Sequence, residues 1–198
     1  MLDNKCRQCR KFGEKLFLKG ERCDSPKCAM TKRNYTPGAH GGKRRGKKSE
    51  YGLQLQEKQK AKSGYGMRER QFQTVFKKAA QSKGATGEEM LKILESRLDN
   101  IIYRLGWAQS RMQARQLVGH GHIKVNDHVV DIPSYKVKAK DIVEPANLEL
   151  IKATQIKKSA IPAWIKEKAM KAEIDHLPTR EEIDNPIDEQ LVVEFYSR

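Results

Sequence analysis

Four cysteines hold the most definite chemistry in this chain of 198 residues, and all of them lie within the first 28. Cys6-Arg7-Gln8-Cys9 is followed, after 13 residues, by Cys23-Asp24-Ser25-Pro26-Lys27-Cys28. Two short pairs separated by a loop can aim four thiolates at one point, which is the donor set of a tetrahedral zinc site. The expected site is structural, one zinc per chain, because four protein ligands leave no position open for catalysis. Pro26 favours the tight turn of the second pair, and Arg7, Arg10, Arg22 and Lys27 offset the accumulating thiolate charge. Two disulfides are the main competing arrangement. They are opposed by the start of the chain, Met1-Leu2-Asp3-Asn4-Lys5, which has no apolar segment of the signal-peptide kind and so points to a reducing cytosol. Redox catalysis by Cys6 and Cys9 would need a thioredoxin-like strand and helix, and no such pattern surrounds them. Empty thiols, or a metal different from zinc, would also satisfy the spacing.

The charge says what such a scaffold would serve. Forty basic against 25 acidic residues give a formal net charge of +15, and residues 1–80 carry all of the excess, with 22 basic and 7 acidic side chains. Self-repulsion on this scale is usually neutralised by a polyanion, so nucleic acid is the expected partner. A compact enzyme for a small-molecule substrate fits poorly. No apolar run approaches the roughly 20 residues that cross a bilayer. The densest stretch is Gly38-Ala39-His40-Gly41-Gly42-Lys43-Arg44-Arg45-Gly46-Lys47-Lys48, where four glycines sit among five cations. Such a run neither forms a stable helix nor buries anything, so it is expected to be a loop that orders on phosphate. Lys43, Arg44, Arg45, Lys47 and Lys48 are its candidate contacts; a nuclear-import signal is the runner-up. From Glu173 onward the balance reverses, with eight carboxylates against Arg180 and Arg198. That end is expected to face solvent or a basic protein.

The elements that must position these groups are mainly helical. Residues 51–62 suit a short basic helix, and Phe72, Val75, Phe76 and Ala79 recur at helical spacing as core positions before Gly84. Thr86 with Glu89 reads as a capping box, opening one long apolar stripe through Leu91, Leu94, Leu98, Ile101 and Leu105 to Gly106. Ser110 with Gln113 opens a shorter helix that Gly119 is placed to end, with Arg111 and Arg115 on one face. A strand at 123–125, the turn Asn126-Asp127-His128, Val129-Val130 and a further strand near 140–143 follow. Trp164 and Ile165 suit a strand start, and residues 191–196 are strand-like in composition. His120 and His122 lack a carboxylate or cysteine at matching metal-ligand spacing; a polar contact to a phosphate or base edge and plain exposure are the two readings.

Two long blocks carry a resemblance. Ser96-Arg97-Leu98-Asp99-Asn100-Ile101-Ile102-Tyr103-Arg104-Leu105-Gly106-Trp107 and Ser110-Arg111-Met112-Gln113-Ala114-Arg115-Gln116-Leu117-Val118-Gly119-His120-Gly121-His122-Ile123-Lys124-Val125-Asn126 resemble the RNA-binding domain named after small-subunit ribosomal protein four. Leu18-Lys19-Gly20-Glu21-Arg22-Cys23, Pro37-Gly38-Ala39-His40-Gly41, Glu57-Lys58-Gln59-Lys60, Glu69-Arg70-Gln71-Phe72 and Glu194-Phe195-Tyr196-Ser197-Arg198 extend the likeness to that protein's family along nearly the whole chain. The cysteines resemble its zinc-carrying bacterial branch. The resemblance implies an α+β fold, mainly α, in three parts. These are an N-terminal zinc knuckle with a basic loop (1–50), a helical domain (51–95, completed by 157–198), and an inserted RNA-binding domain of two helices and a β-hairpin (96–156). It further implies a cytoplasmic constituent of the small ribosomal subunit that binds ribosomal RNA directly, nucleates assembly of the subunit body and influences decoding accuracy with proteins five and twelve. The implied partners are that RNA, small-subunit protein five and messenger RNA near the channel by which it enters. Carried over by position, Arg97, Arg104, Arg111, Arg115, His120, His122 and Lys124 would lie on the RNA face.

Two other classes compete. RNA pseudouridine synthases can carry the same small domain, and Arg97-Leu98-Asp99 copies the letters around their catalytic aspartate. Here the triplet lies on a helix of the recognition domain and no separate catalytic domain of sufficient length remains. Asp99 is therefore expected to be a surface carboxylate paired with a cation, and the chain not to be an enzyme. A zinc-dependent DNA-binding regulator would need a helix offering amide side chains to the major groove, and nothing compels one.

Overall fold

A computed structural model describes residues 5–42, 47–155 and 161–198. Its elements in chain order are α1 (Lys5–Phe12), α2 (Glu21–Asp24), α3 (Ala29–Lys32), α4 (Glu50–Gly64), α5 (Glu69–Ala80), α6 (Thr86–Glu95), α7 (Leu98–Arg104) and α8 (Arg111–Gly119). Then follow β1 (Ile123–Val125), β2 (His128–Val129), β3 (Ile142–Pro145), α9 (Leu148–Thr154), β4 (Ile165–Lys168), β5 (Lys171–Ile174) and α10 (Glu189–Tyr196). The fold is mixed and mostly helical. Two compact units are present: Met1–Phe72 with Ile187–Arg198, and Gln73–Pro186. This division departs from the expected domains because β5 pairs antiparallel with β3, which takes 165–174 into the sheet; only the last twelve residues return to the helical unit.

In the first unit, α1 and α3 enclose a small core of Cys9, Phe12, Leu16, Leu18, Cys28 and Met30. Ser49 caps α4 by accepting from the Gly52 amide. The buried positions of α4 are Gln54, Lys58, Lys60 and Ala61, three of them polar and so not flagged by apolar periodicity. Several of their partners lie far along the chain. Gln54 Nε2 donates to Glu194 at 3.0 Å, and the Lys58 ammonium lies 4.6 Å from the Phe195 ring centroid. Lys60 pairs with Glu57 at 2.8 Å and with Glu14 at 3.2 Å. Residues 191–196, expected as a strand, are helical. Asp188 accepts from the amides of Gln190 and Leu191, and packing on α4 then overrides the strand propensity of Val and aromatic side chains.

Lys58 and Lys62 approach Glu69 at 2.7 and 2.8 Å, and Tyr196 donates to it at 3.0 Å. Burial alone would raise Glu69, but these hydrogen bonds outweigh it and hold its carboxyl at about 2. A carboxylate below its unfolded value of 4.5 stabilises the fold fully above that pH and ceases to do so as pH falls towards 2. Glu69→Gln is therefore expected to lower the urea midpoint of this unit at pH 7 while shrinking its loss of stability between about pH 4.5 and 2. An unaltered acid limb in urea titrations would refute the assignment.

The second unit packs α7, α8 and α9 on one face of a five-stranded antiparallel sheet ordered β2-β1-β3-β5-β4. Trp107, Leu98, Ile101, Ile102, Val118, Ile123, Val143 and Trp164 fill the space between, all at 1% exposure or less. The β1–β2 hairpin closes through Asn126 and Asp127 at φ 48° and 66°, the paired left-handed geometry of a two-residue turn. Ala169 and Met170 close β4–β5 in the same way at φ 47° and 66°, although neither residue type signals it.

The single long helix expected from Thr86 to Leu105 is broken at Ser96 and Arg97. Residues 133–137 return to this break: Leu98 N donates to Tyr135 O at 2.9 Å, Asp99 N to Pro133 O at 3.1 Å and Val137 N to Ser96 O at 3.0 Å. The first two bonds satisfy amides that a new helix start leaves without partners and the third satisfies the Ser96 carbonyl, so the apolar stripe continues across two helices. The capping box at Thr86 is not formed either; Ala85 is the cap residue, and Glu89 pairs with Lys92 at 2.7 Å. Ser110 does cap α8, accepting from Gln113 N at 3.3 Å. Gly121 at φ 73°, two residues beyond the expected stop, carries the chain out of that helix into β1.

Candidate nucleic-acid interface

The expected RNA face divides into cations held inside the second unit and cations that point away from it. Arg97 is 7% exposed, with Nε donating to Asp99 Oδ1 at 3.0 Å and Nη2 to Asp99 Oδ2. Asp99 is itself buried at 4% exposure, so the pair that sequence placed on the surface closes the break between α6 and α7 instead. Arg104 grips Glu95 with two bonds, 2.9 and 2.8 Å, and donates to the Asp184 carbonyl at 3.3 Å. Glu95 is 1% exposed and also accepts from Asn100 Nδ2 at 2.7 Å. Asn100 in turn accepts from Arg111 Nε at 2.7 Å, while the Arg111 guanidinium lies 4.5 Å from the Tyr103 ring centroid. Glu95, Asn100 and Tyr103 therefore fix two arginines by a chain of bonds that the spacing of basic residues does not reveal.

Four predicted positions look outward from α8 and the strand after it. Arg115 and Lys124 are half-buried and make no ion pair among the described residues. His120 is exposed and His122 half-buried, their rings edge to face with centroids 6.1 Å apart. Lys124 pairs in register with Val129 and Glu144, which places it on the side of the sheet away from Ile123 and Val125. In the first unit Lys47 and Lys48 are exposed, and Lys48 donates to Gln56. Lys43, Arg44 and Arg45 lie outside the described residues.

All four cysteines are free thiols; Cys9, Cys23 and Cys28 are buried at 7–8% exposure and Cys6 is half-buried. Burial pushes the Cys9 and Cys23 thiols up, and neighbouring thiols push the same way, against amide hydrogen bonds from Leu16 and Lys19 that lower them. Lys19 N donates to Cys23 Sγ at 3.3 Å. Among the described residues, no group of three or more His, Cys, Asp or Glu side chains is arranged to hold a metal ion. Arg10, expected to screen the thiolates, is engaged elsewhere: it donates to Tyr35 O at 2.9 Å and Thr36 O at 3.3 Å, and stacks 4.7 Å from the Tyr35 ring centroid.

Comparison with known proteins matches two stretches of the chain. Residues 1–95 fit the model of the ribosomal protein S4/S9 N-terminal domain, and residues 96–143 fit that of the S4 domain. Small ribosomal subunit protein uS4 of Thermus thermophilus is 52% identical over 98% of this chain and 96% of its own length. The protein of the same name from Syntrophomonas wolfei is 50% identical over 99% of this chain and 98% of its own. From Clostridium botulinum, small ribosomal subunit protein uS4A is 48% identical over 98% of this chain and 96% of its own. With identity at this level along nearly the whole chain, and the arginines of α8 and the histidines of the turn after it inside the matched S4 domain, the chain belongs to the family of small ribosomal subunit protein uS4.

Proposed function

We propose that the chain is a structural constituent of the small ribosomal subunit that binds its ribosomal RNA directly and catalyses no reaction. The observation that carries this reading is the set of outward groups on α8, β1 and the turn between them, Arg115, His120, His122 and Lys124, within the matched S4 domain. Cations and polar rings on a helix and strand suit phosphate and 2′-hydroxyl contacts, which recognise RNA by shape. The basic first unit supplies a second surface, and a protein that holds two RNA helices at once fixes their relative orientation. That is the requirement for a primary binder that nucleates assembly of the subunit body. The finer roles implied by the family belong to the same reading: contact with small-subunit protein five, a place near incoming messenger RNA, and influence on accuracy with proteins five and twelve.

Cys6, Cys9, Cys23 and Cys28 are the residues that would hold a structural zinc ion of the family's metal-carrying bacterial branch. The support is the donor set itself, four free thiols, two of whose sulfurs accept from the amides of Leu16 and Lys19. Bound zinc would supply cross-linking of the segment and no catalysis. The cysteines would hold it, and the amides would lower the charge on their sulfurs.

Co-sedimentation with small-subunit ribosomal RNA across a salt series tests the main claim. If six to ten phosphates are neutralised, affinity falls by roughly three to five decades between low and moderate salt. Arg115→Ala with Lys124→Ala is expected to weaken binding by about tenfold or more and to flatten the slope by roughly 1 to 2. An unchanged slope would remove this face from the interface. Preference for duplex DNA at equal salt would favour the regulator instead.

A further inference from the structure

The segment after β5, residues 175–186, ends the second unit before the chain enters Ile187–Arg198 of the first. Near its start His176 stands between two carboxylates of that same segment. Its Nε2 lies 2.9 and 3.1 Å from the two oxygens of Glu182, and its Nδ1 lies 3.3 Å from Asp175 Oδ2. An ionised carboxylate only accepts, so each contact requires a ring nitrogen that carries a proton. The neutral ring has one such nitrogen and the imidazolium has two. Both contacts are therefore made only when His176 is charged.

The two acids are held by donors of their own. Glu182 accepts from the Thr179 amide at 2.9 Å and from the Thr179 hydroxyl at 3.0 Å. Asp175 accepts from Lys166 of β4 at 2.8 Å and from Lys140, in the loop ahead of β3, at 3.3 Å. The Thr179 amide above all holds the Glu182 carboxyl below its usual range, and Lys166 does so for Asp175. Of the other charged groups here, Arg180 donates to the Ile183 carbonyl and Arg104 of α7 to the Asp184 carbonyl, each at 3.3 Å, while Glu181 is exposed. Lysines, arginines and these ionised acids keep their charge between about pH 5 and 8, where imidazole titrates. The contact to Glu182 also joins the two ends of a short loop, residues 177–181. Beyond it Ile183 is 4% exposed, so the far end stays fastened whatever the state of the ring.

We propose that Asp175, His176 and Glu182 form a proton-operated clasp, in which the imidazolium closes the loop of residues 177–181 and loss of its proton releases it. The clasp stands apart from the RNA-binding reading and uses none of its residues but Arg104, which serves only as an anchor. Glu182 first, and Asp175 after it, raise His176 above its ordinary 6.5. A group raised in this way contributes its full stabilisation below about pH 6.5 and loses it as pH rises through the folded value. Acidification thus tightens the loop, and a rise in pH above that range loosens it.

The test follows the histidine ring resonances of the full chain from about pH 5.5 to 8.5, with His176 assigned through His176→Gln. Amide exchange in residues 177–182, corrected for the intrinsic effect of pH, is measured on the same samples. The His176 midpoint is expected above 6.5, and Glu182→Gln should bring it back towards that value. Protection of the loop should fall roughly two- to fivefold across the titration, the scale of an exposed ion pair. His176→Gln should flatten this dependence at the low level. His176→Arg, which stays charged throughout, should flatten it at the high level. A midpoint at or below 6.5 would overturn the proposal, because the carboxylates would then give the charged ring no advantage. An unchanged pH dependence in His176→Gln would overturn it as well, since another group would be responsible. Neither result touches the RNA-binding reading, which the salt series decides.

Discussion

If the four cysteines hold zinc as proposed, chelating it, or replacing Cys23 and Cys28 by Ser, is expected to unfold the segment from Lys5 to Arg33 while the unit of residues 73–186 keeps its structure. The helices here are eight, four and four residues long, far below the length at which a helix is stable alone. Their shared core is six side chains, two of them cysteines. Propensity and so small a core contribute little to holding such a segment, whereas zinc binding of roughly 10–16 kcal/mol at neutral pH would hold it. Amide exchange should show protection in residues 5–33 collapsing on chelation and returning with added zinc. Metal analysis near one zinc per chain is the companion result. A metal content near zero in reduced protein, with exchange indifferent to chelator, would remove the zinc.

The second large effect concerns Glu95. Its carboxylate holds Arg104 by two bonds and accepts from Asn100, at 1% exposure. Glu95→Ala leaves a largely buried guanidinium without its anion and the Asn100 amide without that acceptor. Removing one partner of a buried pair costs about 3–5 kcal/mol. For a unit of this size that is a drop in melting temperature on the order of 10 °C or more. Asn100 also positions Arg111, so RNA affinity measured below the lowered melting point should fall as well. Glu95→Gln, which can still accept from Arg104, is expected to lose clearly less stability. A melting temperature within 2 °C of the parent in the alanine variant would refute this account of the network, since the expected drop on the order of 10 °C follows from the buried pair.

How far this could be foreseen differs from residue to residue. Ser110 announces its cap because the signal is local, one hydroxyl and an amide three residues on. The Asn126-Asp127 turn is equally local. Ala169-Met170 makes the same turn unannounced, since pairing of β4 with β5 forces a geometry those residues do not prefer. Residues 191–196 mislead because strand propensity measures fit to a half-buried surface, and here that surface is α4. Arginines are the hardest to assign: spacing shows that Arg97, Arg104, Arg111 and Arg115 are cationic, but not that Asp99, Glu95 and Asn100 engage the first three.

Residue order alone determined the polyanion partner, the gathering of four cysteines, the helical stripes and membership of the family, because charge, spacing and periodicity are properties of the chain before it folds. Tertiary structure decided which cations remain available for RNA, where the long helix breaks, and that His176 stands between Asp175 and Glu182. The physical reason is that a charged group's role depends on its neighbours in space. An arginine beside a buried carboxylate is already neutralised, and the same residue type on an open face awaits an anion.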